Sequence, residues 1–440
     1  MKSKLLYALA LAGLLSGCAI FHKGDHRPKT AVLGERLPVL TSENDAQVEP
    51  ALADIEVAVP APAVNDGWPQ PGGNPSKSMG DPALAPSLSR VWSAKIRGSS
   101  PKERYGSGPV IANGTVYAID TAAVVHAFSL STGRSLWQTE TGTEKRDRDA
   151  LFGGGVSYDA GRLYATNGLG DVAALDAKTG KLIWKVRPGG PLRGAPTIGP
   201  ENLYVLSQDN QLFALKVDTG EVAWTESATL ETAGVFGVGA PAFAQGTVVA
   251  GFSSGELSAL RYENGRVVWQ DQLSRTSIST SVSSISDIDA SPVIDQGKVY
   301  AIGEGGRMVA MDLTSGQRLW EINIAGIDTP WLAGDWLFVV TDEAKLLCIQ
   351  SQTGKVRWMT QLRRWKDPKT RNKPIEWWGP VLAGGRLLVT SSRGDLVTVA
   401  VANGRVVSSI HAGKSFSRGP VVANNTMVLL DQKGSLTAWR

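Results

Sequence analysis

The chain has 440 residues, 42% of them hydrophobic and 20% charged, which is enough apolar material for a large core and rules out wholesale disorder. Its formal net charge of +4 falls to about +2 once Lys2 and Lys4 of the leader are set aside, and that balance leaves no footprint for nucleic acid. Two distant cysteines and four histidines exclude a disulfide scaffold and a Cys-based zinc site, and they argue against a His-built metal centre.

The chain opens with a basic stretch (Lys2, Lys4) and an apolar run of 11 residues from Leu5 to Leu15. Such a run is too short for a bilayer core of about 30 Å, which needs about 20 helical residues, so it reads as an export signal over residues 1–17. The following Leu15-Ser16-Gly17-Cys18 resembles a bacterial lipoprotein processing box. The resemblance implies that Cys18 becomes the first mature residue and carries lipid, an anchor strengthened by each buried acyl chain. With Ala19 rather than Asp after the cysteine, it also implies the outer membrane, on its periplasmic face. The alternative is a cleaved secretory signal with a chance cysteine. Residues 18–66, rich in Pro, Ala, Val and acids, hold no helix or strand period and read as a flexible tether. Residues 67–87 form a lead-in.

The rest of the chain repeats itself. Seven segments end in a Gly, at 133, 180, 220, 265, 316, 354 and 404, and in six of them a Trp follows four residues later. In the seventh, Ser408 stands in the Trp position. Gly434 to Arg440 begins an eighth copy that lacks its turn and Trp strand, while Leu88-Ser89-Arg90-Val91-Trp92 is a Trp strand with no repeat before it. An array whose first strand completes its last unit is a closed ring, which removes the exposed edges of an open array. A solenoid would not need this offset. A third mark precedes each unit's second strand: Pro109, Pro196, Pro241, Pro292, Pro330, Pro380 and Pro420, with Gly155 in the second unit. Pro suits the start of an edge strand, so these lead the innermost strands. Four strands per repeat of about 40–45 residues make a propeller blade. The predicted fold is all-β: an eight-bladed propeller over residues 88–440, with four-stranded antiparallel blades and the ring closed by the N-terminal strand. The Thr-Gly turns join the third and fourth strands, and the Trp side chains fill the widening gap between blades.

The repeat resembles that of quinoprotein-type eight-bladed propellers, and Trp68-Pro69-Gln70-Pro71-Gly72-Gly73-Asn74 looks like the lead-in before them. Two functions use that scaffold, and fold alone does not choose between them. One is a periplasmic pyrroloquinoline-quinone dehydrogenase, whose alcohol-oxidising members carry adjacent cysteines beside the quinone. Here Cys18 is assigned to lipid and only Cys348 remains, in a small Ala slot of its repeat. The other is the lipoprotein subunit family of the outer-membrane β-barrel assembly machinery, which does no chemistry and needs no cofactor or metal. Ser286-Asp287-Ile288-Asp289-Ala290-Ser291-Pro292 resembles that family's Ser-Asp-aliphatic-Asp run entering a blade. The resemblance implies that Asp287 and Asp289 are exposed acidic contacts for the POTRA region of BamA, the barrel-forming subunit. Capping of a strand-entrance turn is the alternative for both. The family's Leu-and-Arg loop corresponds to residues 233–239, where Val235 and Phe236 keep the apolar character and the Arg is missing. Leu192-Arg193-Gly194 lies one blade earlier as a possible substitute. The other assembly subunits are further implied partners, and unfolded outer-membrane proteins could meet strand edges. A propeller binding module for another envelope partner is a further reading. Residues 363–378, with six basic residues and three Trp, read as a solvated loop or a second binding surface. No Ser/His/Asp or Cys/His constellation stands out, so no catalytic residue is assigned.

Overall fold

A computed structural model describes residues 46–100, 103–142, 152–230, 239–273 and 286–440. Among the described residues, eight sheets of four or five strands are arranged as the repeat predicts, and a ninth is a two-stranded hairpin. The third blade is representative: Thr197–Ile198, Asn202–Leu206, Gln211–Lys216 and Val222–Ser227, paired antiparallel from the inside outwards. The second blade gains a fifth strand, Arg104–Tyr105, parallel to Phe152–Asp159. Arg90–Lys95 pairs antiparallel with Ser435–Trp439, so the first strand supplies the outer edge of the last blade and the ring is closed.

The small-residue and Trp positions of the motif explain each other. Ala214 faces Trp224 across the third-to-fourth strand pair, as Ala127 faces Trp137 and Cys348 faces Trp358. A small residue there leaves room for the indole. The pairing then shifts register by a bulge, which bends and twists the outer strand. Each indole crosses to the next blade. Trp224 Nε1 donates to Tyr262 O at 2.9 Å, and its ring lies over Gly265. The same contact recurs from Trp92 onto Gly133 through Trp358 onto Gly404. These turn glycines have φ between 70° and 76°, and a Cβ on any of them would come within 2.5–2.7 Å of the indole above. The exception has a cause. The blade after Ser408 is the one whose outer pair joins the propeller's first and last strands, linked beyond them by Ser89 and Arg440. It has no turn to receive an indole, and Thr398 faces Ser408 where other blades place a small residue opposite Trp.

The innermost strands present unpaired N–H groups toward the ring axis, and these need acceptors. Residues 65–82 supply most of them. Asn65 O accepts from Asn424 N while its Nδ2 donates to Val422 O, Trp68 exchanges backbone bonds with Ile111, and Pro69 O accepts from Tyr158 N. Gln70 Oε1 then accepts from Ile198 N, Pro75 O from Phe243 N and Ser76 O from Ile294 N. Gly80 O accepts from the Trp331 indole and Pro82 O from Gly384 N. The lead-in thus visits all eight blades in ring order and closes one end of the central channel.

This corrects the flexible-tether expectation for its second half. Residues 46–66 are held by the propeller: Val48 bridges Val356, Lys355 Nζ lies 3.0 Å from Glu49, and Arg357 bonds Ile55 O at 2.9 Å. Lack of periodicity hid this because the segment bonds to blades, not to itself. Cys18 and the rest of the leader and tether lie outside the described residues.

Candidate functional site

The loops that enter the innermost strands converge on the channel at the end opposite the lead-in. Two or three residues before the entrance prolines stand Ser107, Arg193, Gly239, Asp289, Asp328 and Arg418. Inter-blade bonds tie this rim together: Ala240 N donates to Ser291 Oγ at 3.0 Å, Ser291 N to Thr329 Oγ1 at 3.2 Å, and Gly379 N to Asp328 Oδ2 at 2.6 Å. Arg418 reaches the carbonyls of Tyr105 and Gly106.

Asp287 and Asp289 are 1% and 6% exposed, so the expectation that both are surface charges is corrected. The cause is local. Ile288, also buried, packs over Gly251, where a Cβ would come within 2.3 Å of it. Ile288 N donates to Phe252 O, and Glu304 N to Asp287 O. With the middle residue committed to the core between two blades, both flanking acids are drawn inside. Asp289 Oδ1 accepts from Arg193 Nη2 at 2.9 Å, and Arg193 is itself 1% exposed. Arg193 therefore does meet the acidic run, from two blades away. Its loop is fixed by Arg193 N to Leu206 O and Gly154 N to Arg193 O. The signal was present in its position, three residues before Pro196, as Asp289 stands three before Pro292. Asp328 and Arg418 were missed, although each precedes an entrance proline by two. Val235 and Phe236 lie outside the described residues. Gly239, just beyond them in sequence, lies against the Asp289 backbone.

Burial raises the Asp289 carboxyl, and Arg193 and Arg418 oppose that rise. Glu304 is pushed up to about 8, first by burial and then by Asp289 and Asp287. Asp289 keeps the Arg193 guanidinium as its partner, and Glu304 holds a proton at neutral pH. The unfolded chain releases that proton near the ordinary carboxyl value of 4.5. Stability therefore falls as pH rises from there to about 8 and levels off above it. Glu304→Gln removes this penalty. The variant is expected to melt about 1 °C above wild type at pH 8, equivalent to about 1 kcal/mol in a propeller of this size, with the gain vanishing near pH 4.5. Paired thermal melts across that range check it, and a pH-independent difference would refute the assignment.

The segment 363–378 is a protruding hairpin, with Trp365–Asp367 paired to Asn372–Pro374. Its basic side chains are exposed, the Arg364 guanidinium lies 5.3 Å from the Trp365 ring centre, and Trp377 and Trp378 are buried at its base. Cys348 is wholly buried and burial raises its thiol far above the ordinary range, so it is an inert core side chain. A quinone with its divalent ion needs converging carboxylates. Among the described residues no group of three or more His, Cys, Asp or Glu side chains could hold a metal ion. At the axis, Trp68 stacks on Trp331 at 5.7 Å. These residues do not fit that cofactor. Among the described residues no helix is long and apolar enough to cross a membrane.

A closed eight-bladed ring with indole-on-glycine contacts between blades and a capped, charged channel places the molecule among quinoprotein-type propellers. Solved structures agree on the fold: BamB from Moraxella catarrhalis at a TM-score of 0.68 and 19% identity, covering 80% of this chain and all of that one. A europium-containing methanol dehydrogenase also superposes at 0.68, with 14% identity over 85% of this chain and 98% of that one. Residues 121–360, more than half of the chain, match the family model described as outer membrane protein assembly factor BamB, and the chain belongs to that family. Relatives of that name are 29% identical in Salmonella typhimurium over 79% of this chain and 88% of theirs, and 26% identical in Yersinia pestis over 80% and 89%.

Proposed function

We propose that this chain is a lipid-anchored, non-enzymatic scaffold of outer-membrane β-barrel protein assembly, held to the periplasmic face of the outer membrane through Cys18. It binds the POTRA region of BamA with the channel face where the blade entrances gather, and so holds that region in a productive arrangement near the membrane. The observation that carries this reading is the family match over residues 121–360. The entrance face adds support. It brings a buried, braced acidic run beside Gly239, which ends the apolar loop bearing Val235 and Phe236. A few apolar anchors on a rigid rim make a plausible small interface. Because Asp287 and Asp289 are buried, they act by shaping this rim rather than as free surface charges.

The test uses the loop, not the acids. Membrane-extracted wild type is expected to co-purify with BamA, and Cys18→Ala to leave the membrane fraction. Val235→Glu with Phe236→Glu is expected to weaken POTRA affinity at least about tenfold, or ~1.4 kcal/mol, in calorimetric titration. Absence of BamA from the extracted complex would overturn the reading, and unchanged POTRA affinity would remove the loop from the interface.

A further inference from the structure

Among the described residues, two of the three buried cations at the channel face a carboxylate and the third does not. Arg193 is paired with Asp289 at 2.9 Å, and Arg418 faces Asp328. Lys77, which enters from the capping lead-in, has no described carboxylate within ion-pairing distance. It is 1% exposed, and its side chain makes one hydrogen bond among the described residues, from Nζ to Thr197 Oγ1 at 3.1 Å. That hydroxyl already donates to Pro241 O. An ammonium has three donors, so two of them are left over at a place where an uncompensated charge is strongly disfavoured.

The backbone around Lys77 is arranged to put this side chain there. Lys77 itself has φ 65°, a left-handed conformation unfavourable for a residue with a Cβ. Its stem lies over Gly72, where a Cβ would come within 2.8 Å of it. A structural plug for the channel end would need neither a cation nor a strained position, since Met or Leu fills the same space. In front of the lysine lies a cavity of about 120 Å³, room for several water molecules. Its walls are apolar at Trp68, Val110 and Val421, hydroxyl-bearing at Ser107, Ser291 and Thr329, and charged at Asp289, Asp328 and Arg418.

We propose that the central channel is a binding site for a small carboxylate, whose oxygens take the two unused Lys77 donors and whose apolar remainder lies against Trp68 and the valines. A carboxylate fits better than a phosphate because Asp289 and Asp328 line the same cavity and repel a second negative charge. Burial pulls the Lys77 ammonium down to about 7, and a bound anion would restore its charged form.

The probe pair is benzoate and its uncharged isostere benzamide, titrated calorimetrically into the full chain. Benzoate is expected to bind one to one, with benzamide at least about tenfold weaker. Lys77→Met is expected to lose benzoate at least about tenfold while keeping its melting temperature, since the stem still covers Gly72. No binding of benzoate up to about 10 mM would overturn the proposal, as would equal binding of the two probes or unchanged binding by Lys77→Met. If that variant does not fold, the benzoate–benzamide contrast in wild type decides. A crystal soaked in benzoate must then place the carboxylate on Lys77 Nζ.

Discussion

Asp289→Ala is expected to destabilise the propeller by about 3–5 kcal/mol, because it leaves the Arg193 guanidinium buried without its carboxylate. Arg193→Met strands the carboxylate instead and is expected to cost a similar amount. The double variant Arg193→Met with Asp289→Leu replaces both charges by apolar groups, so its cost should fall well short of the sum, with a coupling energy of about 2 kcal/mol or more. Urea denaturation of the four proteins measures the cycle. Additive losses would show that the pair, at 2.9 Å and almost wholly buried, does not act as a unit. The result also bears on function. A loss of partner binding in Asp289→Ala is expected to travel with a loss of stability, whereas the loop variants at Val235 and Phe236 separate the two.

Trp224→Ala is expected to cost about 3–5 kcal/mol, through the cavity it opens and the lost bond from its indole to Tyr262 O. Gly265→Ala, on the receiving side of the same contact, is expected to be comparably damaging, since its Cβ would meet the indole at 2.6 Å from a backbone at φ 72°. In the Trp224→Ala background the steric part disappears. Gly265→Ala should then add only about 1–2 kcal/mol, the cost of a left-handed alanine. Ser408→Trp offers a contrast, because the last blade has no turn glycine to receive the ring, so no stabilisation is expected. Thermal and urea unfolding would test both. An undiminished Gly265→Ala penalty without Trp224 would place the clash elsewhere.

The blade count, the strand order, the innermost place of the proline-led strands and the closure by residues 88–92 were all legible in the repeat. Each depends on a contact made within a blade or with its immediate neighbour, so the same residue types must recur at the same spacing. Ser408 was visible as an exception before its reason was, because the reason is the junction of the ring's first and last strands. What lay beyond the sequence depends on partners far apart along it. Residues 65–82 carry no period, yet they bond to eight blades in turn, since their acceptors meet N–H groups spread from Ile111 to Gly384. The pairing of Arg193 with Asp289 spans 96 positions and two blades, a distance closed only when the ring brings its entrances to one axis. The exposure of Asp287 and Asp289 was misjudged for the same reason. An acidic run before a proline looks like a solvated turn, and only the packing of Ile288 over Gly251 decides that both carboxylates face inwards.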